Sequence, residues 1–172
     1  MRQLREKPTI LDPRVAECQV FLTDAFQLGY VLEQILAFTD KAKITASTFG
    51  NGEEFLRKLI MLKNKGMITE SVLYCDTKAA EKNAKMHPLL RSAYDRINFC
   101  DNHSKVLLVK SEKGEMVSII TSQNLTRGNR CESAVVTTDP QIFATLFAQI
   151  EDLITNHSVP LNDLFRSRIA TD

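Results

Sequence analysis

With 172 residues, 44% hydrophobic and 25% charged, the chain can build one domain with a substantial core and has the make-up of an ordinary globular protein. A formal net charge of +1 excludes a polycation, and no apolar run approaches the roughly 20 residues of a membrane span. The stretch from Met1 to Pro8 lacks the apolar core of a signal peptide, so a cytoplasmic location and no membrane contact are expected.

Residues 1–14, with Pro8 and Pro13, read as a loose arm or an added edge element ahead of a single domain over 15–172. Cys18 to Leu22 is a short apolar strand. Phe26 to Phe38 carries helical spacing at Leu28, Val31, Leu32, Ile35 and Leu36. Lys43 to Phe49 reads as a strand, and Asn51-Gly52-Glu53-Glu54 has the shape of a helix N-cap with a following glutamate. The helix behind it has an apolar face at Phe55, Leu56, Leu59, Ile60 and Leu62 and stops at Gly66. Ser71 to Cys75 is the next strand, and Lys78 to Met86 a lysine-rich helix stopped before Pro88.

Arg96 to Cys100 is a strand leading into His103. Two further strands follow, joined by a hairpin turn around Lys113-Gly114. Ser133 to Thr138 is the last strand read. Asp139-Pro140 then opens a final helix with its apolar face at Ile142, Phe143, Leu146, Ile150 and Leu153. Alternating strands and helices followed by hairpin-linked strands predict an α/β fold, a mixed β-sheet flanked by helices. Residues 53–91 are richer in Lys and Arg than in Asp and Glu, and residues 133–172 the reverse, which is a weak pointer to a basic face.

Cys18, Cys75, Cys100 and Cys131 are widely spaced with no Cys-x-x-Cys pair, so buried thiols are expected rather than a zinc site or disulfides. His87 and His157 have no partner at metal-ligand spacing, and no carboxylates cluster as a two-metal nuclease site requires. Neither a metal nor another cofactor is expected.

The chemistry concentrates in Asn102-His103-Ser104-Lys105 and Thr121-Ser122-Gln123-Asn124. His103 and Lys105 stand two apart at the head of the apolar run Val106 to Val109. Ser122 and Asn124 repeat the spacing after the run Met116 to Thr121. Side chains two apart on a strand share a face, so two neighbouring strands can bring an imidazole, an ammonium, a hydroxyl and an amide to one point. That set suits an anion. Each piece alone also fits a capping histidine, a solvent-seeking lysine or ordinary turn chemistry.

In order and spacing this pattern resembles the phospholipase D superfamily motif, His-x-Lys, then four residues and Asp, then Gly-Ser-x-Asn. His103, Lys105, Ser122 and Asn124 match it, and Glu132 stands where many members carry an acidic residue. Lys110 replaces the motif's Asp and Thr121 its Gly. The resemblance implies a phospholipase D-like domain and a metal-independent phosphodiesterase, most readily a nuclease on DNA or RNA. One His103 would attack phosphorus to form a phosphohistidine while a second protonates the leaving oxygen. A carboxylate such as Glu132 would orient the ring. With one His-x-Lys in the chain, the resemblance implies a homodimer with one composite site. Thr48 and Phe49, ending a strand, and Arg127 and Arg130, after the Ser-x-Asn, are second-tier substrate-binding candidates; exposed turn residues explain the arginines equally well. Two other readings remain open: a catalytically silent nucleic-acid-binding or assembly module, and a phospholipid phosphodiesterase.

Overall fold

A computed structural model describes residues 7–79, 86–128, 130–157 and 159–160 of the chain. The fold is α/β, one mixed sheet with helices on both faces. In chain order the elements are β1 (Cys18–Thr23), α1 (Leu28–Thr39), β2 (Ala42–Thr48), α2 (Glu53–Asn64), β3 (Ile68–Asp76) and a 3-10 turn at Thr77–Ala79. Then come α3 (His87–Ala93), β4 (Arg96–Cys100), β5 (Lys105–Ser111), β6 (Met116–Thr121), β7 (Glu132–Thr137), α4 (Pro140–His157) and β8 (Val159–Pro160). The sheet order is β1-β7-β6-β5-β2-β3-β4-β8. Strands β2, β3 and β4 run parallel, linked by helical crossovers, while β5, β6, β7 and β1 pair antiparallel.

Alternation along the strands decides which face each side chain serves. On β3 and β5, Leu73, Cys75, Leu107 and Val109 point into the larger core with Leu32, Ile35, Leu56 and Leu59 of α1 and α2. Their neighbours Val72, Tyr74, Val106 and Leu108 point the other way, onto Phe143 and Ile150 of α4. Central strands buried on both faces explain the unbroken apolar runs in the sequence. Among the described residues no helix is long and apolar enough to cross a membrane.

Local expectations change at Asn51 and at two of the four thiols. Asn51 is no helix cap: it is 5% exposed, accepts the Tyr94 hydroxyl at 3.1 Å on Oδ1, and leaves Gly52 as the N-cap of α2. Pro88 lies in the first turn of α3, where a missing N–H costs nothing. Most of the lysine-rich helix expected over Lys78 to Met86 lies outside the described residues. Of the four thiols only Cys75 and Cys100 are buried; Cys18 and Cys131 are exposed. Residues 7–14 form no strand, yet Ile10 is buried and its N–H donates to Gln34 Oε1 at 3.0 Å, while Leu11 and the Gln19 amide exchange two hydrogen bonds.

Candidate active site

Antiparallel pairing brings the head of β5 to the ends of β2 and β6, with Thr48 opposite Lys105 and Val106 opposite Ile120. The head of β7 meets the end of β1, Glu132 opposite Thr23. One end of the sheet therefore gathers His103, Lys105, Ser122, Asn124 and Glu132 from the head of β5, the turn after β6 and the head of β7. Gly52 N–H donates to Leu125 O at 2.7 Å and joins the loop after β2 to the Ser-x-Asn turn.

His103 is exposed on the loop before β5. Its Nδ1 lies 3.3 Å from Lys105 Nζ, which also donates to the His103 carbonyl at 2.6 Å. Phe49, half-buried, sets its ring edge-on to the imidazole, centroids 5.3 Å apart at 61°. Burial pushes the Lys105 pKa below the usual lysine value, and the Glu132 carboxylate pulls it back up.

Glu132 does not meet the imidazole. Its Oε2 accepts the Ser122 hydroxyl, and Ser133 N–H donates to Ser122 Oγ at 3.1 Å, so the serine is clamped at the mouth of β7. Half-buried Asn124 has its Oδ1 shielded from water with no hydrogen-bond partner among the described residues. Thr121 takes the glycine position of the motif with its hydroxyl in use: Oγ1 donates to Ser133 O at 2.9 Å and accepts Gln123 N–H at 3.1 Å. Lys110 is exposed and opposite Lys43, five residues or about 16 Å along β5 from Lys105. The substitution at the motif's Asp therefore leaves the reactive end untouched.

Of the second-tier residues, Thr48 is fully buried, and its hydroxyl accepts Leu125 N–H at 3.3 Å and donates to Gly50 O at 3.1 Å. It holds the two loops together and has no free face for a substrate. Arg127 and Arg130 are exposed, Arg127 with Nη1 3.6 Å from Glu54 Oε2.

A polar network beneath His103 has no counterpart in the sequence reading. Asn102, 4% exposed, donates through Nδ2 to Ser47 Oγ at 2.8 Å and Tyr74 O at 3.2 Å. Its Oδ1 accepts the Ser104 N–H at 2.9 Å and hydroxyl at 2.8 Å. The Asn102 N–H donates to Oδ2 of buried Asp76 at 3.1 Å, and the Ser47 and Ser104 hydroxyls meet at 2.5 Å. The residues on both sides of His103 are thus fixed to β2 and β3 while the imidazole stays in solvent. An asparagine three residues before a strand was the one local signal for it. A second buried set holds Phe49: its carbonyl accepts the Cys75 thiol at 3.4 Å, and Cys75 Sγ lies 3.9 Å from Asn51 Nδ2. Among the described residues no three His, Cys, Asp or Glu side chains gather as a metal site.

No family model matches the chain, and no curated protein matches it. Solved structures do. Nuc from Salmonella typhimurium, a phospholipase D family member, superposes with a TM-score of 0.58 at 19% identity, over 81% of this chain and 95% of its own. NucT from Helicobacter pylori gives 0.62 at 11%, over 81% and 96%. The polyphosphate kinase from Porphyromonas gingivalis gives 0.63 at 15%, but this chain spans only 26% of its length. The chain shares the fold of Nuc, a phospholipase D family member, and of NucT.

Proposed function

We propose that the chain is a phosphodiesterase that works without a metal ion, a nuclease acting on DNA or RNA in the cytoplasm. The observation that carries this reading is the meeting of His103, Lys105, Ser122, Asn124 and Glu132 at one sheet end. A phosphodiester resists attack because its anionic oxygens repel nucleophiles, so they must be held and neutralised. The Lys105 ammonium and the Asn124 amide serve the nonbridging oxygens, and the Ser122 hydroxyl joins them only by leaving Glu132. One His103 nitrogen forms a bond to phosphorus as the bond to the leaving oxygen breaks. The His103 of a second copy supplies that oxygen's proton, then takes one from water, which displaces the first imidazole. Exposed Arg127 and Arg130 beside the Ser-x-Asn turn support a nucleic-acid backbone as substrate, because a guanidinium fits a phosphate in two-point contact.

The test is to trap the intermediate. Brief incubation with a phosphate-labelled oligonucleotide, quenched in alkali, should leave label on the wild-type protein that survives base and is lost in acid, as a phosphorus–nitrogen bond is. His103→Ala should carry none. Label that persists on the variant, or none on a wild type that turns substrate over, would contradict the mechanism. Binding without turnover by either protein would favour the silent binding module.

A further inference from the structure

His103 is exposed, and an exposed side chain changes rotamer freely unless something blocks it. The network through Asn102 and Ser104 fixes the backbone on both sides of the imidazole. Among the described residues, two side chains make a hydrogen bond or ring contact with the imidazole itself: Lys105, Nζ 3.3 Å from Nδ1, and Phe49, centroids 5.3 Å apart. Strand β2 ends at Thr48, opposite Lys105, so the next residue comes level with Ser104 and beside the imidazole. Phe49 packs against the larger core and is tied to it by a buried chain of donors. The Tyr94 hydroxyl donates to Asn51 Oδ1 at 3.1 Å, Asn51 Nδ2 donates to Cys75 Sγ at 3.9 Å, and the Cys75 thiol donates to the Phe49 carbonyl at 3.4 Å. Every donor points along the chain toward Phe49, an order in which neighbouring hydrogen bonds strengthen one another. Burial pushes the Tyr94 pKa well above the ordinary tyrosine value, so its hydroxyl stays a donor. On the other side of Phe49, the buried Thr48 hydroxyl donates to Gly50 O at 3.1 Å and accepts Gly50 N–H at 3.4 Å, which closes the turn.

We infer that Phe49 is the positioning residue of the His103 imidazole, set in place from the core by the Tyr94–Asn51–Cys75 chain. Its effect on turnover rests on the phosphohistidine reading above; the ring contact does not. In that reading Lys105 also serves a phosphate oxygen, and an ammonium on a flexible four-carbon stem, shared with the substrate, gives the ring no fixed wall. Phe49 is anchored through its own backbone and keeps the imidazole in line while the cation changes partner, and alignment of the attacking atom is worth much of a barrier. This duty differs from a substrate contact. Phe49 acts through His103, so its loss should appear in kcat and leave KM nearly as it was.

Phe49→Leu keeps most of the apolar volume and removes the aromatic ring. It should lower kcat about 10- to 100-fold with KM within about twofold, and Phe49→Tyr should recover most of that loss. Cys75→Val removes the donor to the Phe49 carbonyl and should lower kcat in the same direction. The double variant should be no slower than Phe49→Leu alone, because both changes act through one ring. Should Phe49→Leu fail to fold, Phe49→Met, with its more adaptable side chain, takes its place. A second readout needs no substrate. With three histidines in the chain, His103→Ala assigns the His103 ring signals by NMR, and these should show cross-relaxation to the Phe49 ring and a ring-current shift that Phe49→Leu abolishes. A rise in KM in place of a fall in kcat, additive losses in the double variant, or no contact between the two rings in the wild type would overturn the inference. The ring contact present in a protein that cleaves nothing would leave Phe49 as the wall of the imidazole and remove the phosphodiesterase reading instead.

Discussion

An imidazole attacks phosphorus only when one ring nitrogen offers its lone pair to the substrate, and here the ring is steered by a cation rather than a carboxylate. Lys105 sits on Nδ1 and Phe49 on the ring edge, while Glu132 serves Ser122 and tunes Lys105 through space. Because Glu132 favours the charged lysine against the effect of burial, Glu132→Gln should let Lys105 lose its proton at lower pH. The alkaline limb of the kcat/KM profile should then move to lower pH than in wild type. An unmoved limb would mean that Lys105 is not the group it reports. Lys105→Ala should cost about 10²- to 10³-fold in kcat, as for a lost oxyanion donor. Asn102 acts through His103 as a positioning residue. Asn102→Ala removes a donor from the Tyr74 carbonyl and from Ser47 and frees the loop, so urea unfolding should lose about 1–3 kcal/mol, and kcat should fall more than KM rises. The candidate side chains stood out in the sequence because their chemistry is unusual at that spacing. Their supports were not, since Asn102 meets Ser47 and Tyr74 across separations of 55 and 28 residues.

At the scale of elements, the strands were legible because alternation and apolar runs record burial directly, and the Asp139 cap because it is local and solvent-facing. Asp139 Oδ1 accepts Gln141 N–H at 2.7 Å and Ile142 N–H at 3.2 Å. The cap expected at Asn51 failed for the opposite reason: Tyr94, 43 residues away, claims its side chain. Gly52 is the tight point between α2 and the Ser-x-Asn turn. A Cβ there would stand 3.1 Å from Thr126 Cα, backbone against side chain, whereas one on Gly50 would meet nothing within 4 Å. Gly52→Ala should therefore destabilise the fold by about 1 kcal/mol or more and reduce turnover by displacing the turn, with Gly50→Ala as the near-neutral control. Equal thermal shifts for the two would sink this account of the loop junction.

For the molecule as a whole, the sheet separates its duties by end and by face. One end carries the candidate site groups, one face is closed by α1, α2 and α3, and the other is closed by α4 only over its centre. Periodicity identified the packed faces but could not distinguish exposed Val20 and Leu22 from core residues, because apolar side chains on a strand look alike until the layer above is known. The central claim is that His103 makes this fold a metal-independent nuclease. Its most direct test is cleavage of labelled single- and double-stranded DNA and RNA in excess EDTA, wild type beside His103→Ala. Cleavage by the wild type alone is the predicted result; cleavage by both proteins, or by neither while both are folded, would contradict it.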